Sequence, residues 1–268
     1  MMDAFLETSA LIDLAFKDTK TKQRVLGFCS GRKITSKYVL FEVCRGYLRN
    51  LILLHNKALT LSTFDELFTY LNNVRRKAYL AGAITEMFQK YFAEGCRNKS
   101  IPPPENMSQG EYMLRHFRGF LRKQIRYNWT QIPKRLDEVV DLVRCKDAVE
   151  DPYLDIDGLF QQELRKDQCG IASACGLKTF AQQHKHSLVR IRDHLRTLPK
   201  PDKETTQRIK SLRELYRVPN ANFHKNDCYC SGDALIVQES PDSCLVISKN
   251  RKHIGPICGV LGKKPQFC

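Results

Sequence analysis

The period of the hydrophobic pattern changes several times along this chain. Residues 4–16, AFLETSALIDLAF, open with a short apolar run that predicts a buried strand over 3–7, followed by a helix from about Ser9 to Phe16. KITS, residues 33–36, predicts a second short strand. Its Ser36 is placed to cap a helix reaching about His55, with apolar side chains at Val39, Leu40, Val43, Tyr47, Leu48 and Leu51. The stretch from Ser62 to Phe92 keeps helical spacing at Phe64, Leu67, Phe68, Leu71 and Val74, behind a capping box of Thr63 and Glu66. The prolines 102–104 end that section. Further helices are expected over about 108–127, 159–168, 172–197 and 203–217, with Pro199 and Pro201 separating the last two. The end of the chain returns to mixed texture: a helix over about 232–239, a strand CLVIS at 244–248, and a short helix near 254–261.

Strand–helix segments at both ends around a helical middle predict an α/β core built from residues 1–54 and 219–268, interrupted by a helical insertion over 55–218. A parallel sheet gathers functional groups beyond the carboxyl ends of its strands. Glu7 and the segment 248–250 fall at such ends.

Charge narrows the partners. With 44 Lys and Arg against 29 Asp and Glu, the chain carries a formal +15, an excess that favours polyanions. No apolar run approaches the ~20 residues that span a bilayer. Asp3 and Glu7 interrupt the place where a signal peptide would be basic and then apolar. A cytoplasmic location without membrane association is therefore expected. The 11 cysteines then read as thiols rather than disulfides. Cys169 with Cys175, and Cys228 with Cys230 near His224, lack the spacing usual in structural zinc sites.

Three acids stand in apolar surroundings: Glu7 at the end of the first strand, Glu42 on the helix face of VLFEVCRGYL, and Asp233 opening the helix GDALIVQE. Buried carboxylates are costly unless compensated, and a divalent cation compensates them well. Taken singly, Glu42 and Asp233 also read as ordinary helix acids, Asp233 being favoured at a helix N-terminus. Taken together, their order and flanks resemble the PIN-domain ribonucleases. The resemblance covers roughly residues 3–55 and 220–262. It lies in Glu7-Thr8-Ser9 after an apolar strand, in Glu42 about a turn into the helix after the next strand, and in Asp233-Ala-Leu-Ile236 opening a helix. It also lies in Ser248-Lys-Asn250 after the last core strand, and in the RKHIGPICGVLG beyond it. Glu7 stands where the family usually has Asp, and Asn250 where it usually has an acid.

This resemblance implies a PIN-like three-layer α/β/α fold with a small parallel sheet, carrying a mostly helical insertion. It implies a metal-dependent endoribonuclease with Glu7, Glu42 and Asp233 as catalytic ligands of Mg2+ or Mn2+, Asn250 assisting, and Ser9 and Ser248 at the metal water or the scissile phosphate. Asp227 is a further candidate carboxylate. Toxin-like members of the family add a protein inhibitor or antitoxin as a partner, and self-association. The substitutions at Glu7 and Asn250 keep open a second reading, a catalytically weak or inactive RNA-binding or scaffold protein of the same fold. Cleavage of branched DNA by a related nuclease fold is a third.

The substrate side is read from basic residues. Arg115, Arg118, Arg122 and Arg126 step by three or four and form one helical stripe, interleaved with Phe117, Phe120, Tyr127 and Trp129. Such a stripe either holds RNA phosphates while aromatics stack on bases, or is a solvated face over a core. A second basic region runs from Lys185 to Arg217. Asp155 and Asp157 read as a solvated acidic loop rather than a rival metal pair, and His184 and His186 as an exposed polar patch. No phosphate-binding glycine loop, dinucleotide fingerprint or nucleophile elbow is present.

Overall fold

The structure is a computed structural model. It describes residues 2–74, 78–95, 102–144, 153–154, 158–161, 176–217 and 225–268. In chain order the elements are β1 (Ala4–Leu6), α1 (Thr8–Phe16), α2 (Thr19–Gly27), β2 (Lys33–Ser36), α3 (Lys37–Val43), α4 (Arg49–Leu59), α5 (Phe64–Val74), α6 (Ala78–Gly95) and α7 (Gln109–Gln131). They continue with β3 (Glu138–Val140), β4 (Tyr153–Leu154), β5 (Phe160–Gln161), α8 (Leu177–Gln183), α9 (Lys185–Thr197) and α10 (Lys203–Tyr216). The last are α11 (Lys225–Cys230), α12 (Gly232–Glu239), β6 (Leu245–Ser248), α13 (Arg251–Leu261) and β7 (Lys264–Phe267). The fold is mixed α/β, dominated by helices, with a small all-parallel sheet. Among the described residues no helix is long and apolar enough to cross a membrane.

Two compact units divide the chain. One contains Met1–Val43, Ile132–Val149 and Leu164–Cys268, the other Cys44–Gln131 and Glu150–Glu163. The expected boundaries at 54/55 and 218/219 differ from these. The sheet-bearing unit takes in β3 and the helices α8 to α10 from the stretch expected to be an insertion.

In the sheet-bearing unit the strand order is β3-β2-β1-β6-β7. Leu6 lies opposite Ile247 and Phe5 opposite both Ile34 and Val246. β1 is buried throughout, as befits a central strand covered on both faces. The edge strands differ: β3 is mostly exposed, and β7 carries Pro265, which an edge tolerates because one side of it has no ladder to complete. Ser36 caps α3 as expected, its hydroxyl accepting from Val39 N at 3.1 Å. α13 ends on Gly262, whose φ of 69° is the left-handed conformation a helix terminus asks of glycine.

The other unit is helical. Its core is aromatic: Phe117 stacks on Phe88 with centroids 4.7 Å apart, and Phe64 meets both edge-on. The Thr63–Glu66 box forms, with Glu66 N donating to Thr63 Oγ1 at 3.3 Å and Ser62 N to Glu66 Oε2 at 2.7 Å. α7 starts on a second such box, Ser108 with Glu111. The helix expected over 159–168 is a strand at Phe160–Gln161, and its remainder lies outside the described residues. The reason is tertiary: the Asn56 amide pairs with the Phe160 backbone through both N–H and C=O, each at 2.9 Å, imitating a neighbouring strand.

Candidate active site

The strand order runs outward from β1 to β3 on one side and from β6 to β7 on the other. The order in which strands are added therefore reverses between β1 and β6, which makes the carboxyl ends of these two parallel strands the switch point of the sheet. Glu7 follows β1 and Ser248 closes β6.

Glu7 caps α1 and is only 4% exposed. Its Oε2 accepts from Ser9 N at 3.0 Å, from Ser9 Oγ at 2.6 Å and from Ser248 Oγ at 2.9 Å. Burial pushes its pKa up to about 7; the Ser9 hydrogen bond opposes that shift, and the charge of Asp233 adds to it. Glu42 lies on α3, where Thr8 Oγ1 donates to its Oε2 at 2.8 Å. Gly232 opens α12 directly against it: a methyl group there would overlap Glu42 Oε1 and stand 3.5 Å from Tyr38 Oη. Tyr38 in turn donates to the Cys228 carbonyl at 2.9 Å, tying α3 to α11. Asp233, in the first turn of α12, has its Oδ2 bound by Arg208 Nη2, and His253 Nδ1 faces the same oxygen at 3.7 Å.

Glu7, Glu42 and Asp233, drawn from three distant segments, therefore meet at one rim. Each has one oxygen anchored by a protein donor. Glu7 Oε1 and Asp233 Oδ1 have no partner among the described residues. The donor chemistry, carboxylates backed by hydroxyls, is that of a hard cation site. The spacing is not: among the described residues no three His, Cys, Asp or Glu side chains group closely enough to hold a metal ion.

The other expected site residues have defined places. Asn250 caps α13, its Oδ1 accepting from His253 N at 3.3 Å, so its side-chain carbonyl is engaged in its own helix. Ser9 and Ser248 serve Glu7, and both also accept backbone N–H groups, from Lys249 and Asn250, each at 2.9 Å. Asp227 accepts from Ser211 Oγ at 3.2 Å. His184 contacts the Gln238 amide at 3.1 Å, while His186 is exposed. Cys228 and Cys230 are not joined in a disulfide among the described residues. Cys169, Cys175, His224, Asp155 and Asp157 lie outside the described residues.

In the helical unit, Arg115, Arg122 and Arg126 are exposed on α7. Arg118 is not free for substrate: its Nε and Nη2 donate to the carbonyls of Ala58 and Leu61, at 3.0 and 2.6 Å, at the C-terminus of α4. Of the interleaved aromatics, Phe117 and Trp129 are core residues and Tyr127 is exposed.

Two residues of the rim are not among those the sequence singles out. Arg208 falls within the basic region 185–217 and is 6% exposed. The signal available is its spacing from Thr205, Ser211, Leu212 and Leu215, which puts it on the buried face of α10. His253 is held by Asp202, the cap of α10, at 3.2 Å, and by Glu204 at 3.3 Å. The Lys252 ammonium beside Asp202, with the Thr205 N–H, holds that carboxyl well below the usual carboxylate range. Comparison of the chain with protein-family models, curated proteins and solved structures gives no match.

Proposed function

We propose that this chain is a PIN-type endonuclease that hydrolyses RNA phosphodiester bonds, with Glu7, Glu42 and Asp233 as its catalytic carboxylates and Mg2+ or Mn2+ as its cofactor. The observation that carries this reading is the meeting of three acids from distant segments at the switch point of an all-parallel sheet. A fold has no structural need to bring like charges together at such a rim, and their closeness raises the free energy of the cation-free state. Glu7, Glu42 and Asp233 are the residues that would hold the cation, although their spacing does not itself form its site, and a bound cation would supply an activated water and offset charge on a phosphoryl oxygen. The residues of the chain do the rest. Ser9 and Ser248 fix the Glu7 carboxylate in one orientation, and Thr8 does the same for Glu42. Gly232 permits the close approach of α12 to Glu42. The +15 charge and the exposed arginines of α7 support an RNA substrate through phosphate attraction.

A second reading, an RNA-binding protein without activity, draws on one observation: Asp233 is paired with Arg208, and the acids are not spaced around a common cation position. Incubation of the protein and its Asp233→Asn variant with labelled RNA and DNA, in Mn2+, Mg2+ or chelator, separates the two. Metal-dependent RNA cleavage that falls about 100-fold or more in the variant is the expected result. Binding of RNA with no cleavage in any metal favours the second reading, and preferential cutting of branched DNA removes RNA as the substrate.

A further inference from the structure

The pattern of α7 allows two readings, a row that meets phosphates or a solvated face over a core, and the structure divides its residues between them. Phe117 and Trp129 are buried in the core, and Arg118 is seated on the carbonyls of Ala58 and Leu61. Arg115, Gly119, Arg122, Lys123, Arg126 and Tyr127 are left on one exposed face, continuous over about 18 Å of helix. The side chains of Arg115, Arg122, Lys123 and Arg126 have no ion pair or hydrogen bond among the described residues. In the sheet-bearing unit such surface cations are paired: Arg32 with Asp3 and Glu138, Lys33 with Asp137, and Lys37 with Asp141. Glu111 is the one acid of α7, and it is engaged with Ser108 at the start of the helix. Arg126 stands four residues from Arg122 and three from Lys123, a spacing at which like charges weaken a helix. The middle of the row is uncovered, since a methyl group on Gly119 would find open space. Helix stability gives no reason to line up unpaired cations in this way, whereas an anionic ligand does.

Tyr127 selects the form of that ligand. Its ring is 53% exposed, next to Arg126 and one turn from Lys123, and has no ring partner among the described residues. It stays outside the aromatic core that takes in Phe64, Phe88 and Phe117. An exposed ring in a cationic row is a platform for an unpaired base, while a duplex keeps its base faces stacked inside and offers only backbone and groove edges. We infer that this face of α7 is a docking track for single-stranded RNA, with Arg115, Arg122, Lys123 and Arg126 on phosphates and Tyr127 stacked on a base. In naming RNA the inference rests on the proposed function. It adds the form of RNA that is held and the surface that holds it, and it involves neither the acidic rim nor a metal ion.

Fluorescence anisotropy of the full chain in chelator tests this. The labelled probes are an unstructured RNA strand of about 20 nucleotides, long enough to cover the track, the same strand annealed to its complement, and the strand with abasic sites in place of its bases. The single strand is expected to bind about tenfold tighter than the duplex at equal salt. Tyr127→Ala should weaken the single strand about fivefold or more and leave the duplex and the abasic strand within about twofold, and Tyr127→Phe should restore binding. Lys123→Ala and Arg126→Ala should each reduce the slope of log affinity against log salt by about 0.7. These side chains are exposed, and thermal melting checks that the variants are folded. A duplex bound as tightly as the single strand, or a single strand indifferent to Tyr127→Ala, overturns the inference. So does polyglutamate that binds as tightly as RNA at matched charge, or a preference for the same strand as DNA. Cleavage is scored separately after Mg2+ or Mn2+ is added. Tyr127-dependent binding of the single strand without cutting sinks the nuclease reading and leaves the track standing, whereas cutting by a chain whose binding ignores Tyr127 sinks the track alone.

Discussion

Glu7 and Glu239 are both buried carboxylates of the sheet-bearing unit, and burial raises the pKa of both, yet their surroundings differ in kind. Glu239 ends α12, and its Oε1 accepts from two consecutive backbone groups, Leu142 N at 3.1 Å and Val143 N at 2.9 Å. It ties α12 to the segment that leaves the edge strand β3, and its second oxygen is sealed inside. Glu7 is bound by serine hydroxyls and one N–H, at the switch point of the sheet, with the Asp233 charge beside it. A raised pKa therefore does not separate a functional acid from a structural one. Position is the difference: Glu239, with Ser36 and Asp141 also near it, is tied to the backbone beside the edge strand β3, whereas Glu7 stands at the switch point of the sheet with the Asp233 charge beside it.

The sharpest way to break this contrast is to remove each acid in turn. Glu239→Ala leaves two backbone N–H groups without an acceptor and a void at the end of α12. It should lower stability by about 4 kcal/mol, read as a reduced urea midpoint, while the proposed RNA cleavage by folded molecules is unchanged. Glu7→Gln should do the opposite. The amide oxygen still accepts from Ser9 and Ser248, so the joint survives, but the ionisable group is gone. An acid whose folded pKa is about 7 against an ordinary value of 4.5 binds protons preferentially in the folded state. Its contribution is fully present below pH 4.5 and is lost as pH rises through about 7. The stability difference between wild type and Glu7→Gln should accordingly shift by about 3 kcal/mol across that window, in favour of the variant at high pH. Denaturation from pH 4 to pH 8 measures it, and the subtraction cancels Glu239 and Asp202, which both proteins share. A flat difference curve would mean that burial does not raise the Glu7 carboxyl above its ordinary range.

How much of this is legible in the sequence depends on burial. β1 and β6 are central strands, so their apolar runs AFL and LVIS stand out against the polar residues next to them. β3 and β7, as EVV and KPQF at the sheet edges, have one side without a strand and too little apolar signal to predict them. The spacing after β2 predicts one helix to about His55. That helix is interrupted by a π-helical turn at Cys44–Leu48, which no local propensity marks. At the rim, the acids are readable because a carboxylate inside an apolar run is anomalous. Arg208 is not, because one arginine among many in a basic stretch differs only by facing inward. Asn250 does lie at the end of β6, as the pattern predicts, but the role expected for its carbonyl is taken by His253 N. That follows from α13 starting at Arg251, several residues before the expected helix near Ile254.

A smaller perturbation tests how tightly the rim is built. Gly232→Ala adds a methyl group that overlaps Glu42 Oε1. Helix propensity alone favours alanine by about 1 kcal/mol at an interior position. If Glu42 is pressed against α12, overpacking reverses that sign and the variant loses about 2 kcal/mol, with Glu42 displaced from Thr8. Thermal melting gives the sign directly. A stabilised variant would mean that Glu42 is not held against α12, and the rim would lose one of its three acids.

The smallest effect extends the contrast to a basic side chain. Arg118 in the helical unit does for α4 what Glu239 does for β3: its charged group is seated on main-chain atoms, here the carbonyls near a helix C-terminus, where a cation also favours the helix dipole. Arg122, one turn along α7, is exposed. The two should therefore respond differently although they share a stripe. Arg118→Ala is expected to cost about 1 kcal/mol of stability, because the released carbonyls recover some hydration at a half-buried position. It should leave the salt dependence of RNA binding unchanged. Arg122→Ala should leave stability within about 0.5 kcal/mol and reduce the slope of log affinity against log salt by about 0.7, the contribution of one phosphate contact on a single strand. Measuring both variants in both assays makes the comparison decisive. If Arg118→Ala changes the salt slope and Arg122→Ala does not, seating on main-chain atoms is no guide to which charged residues meet a ligand, and the distinction between Glu7 and Glu239 falls with it.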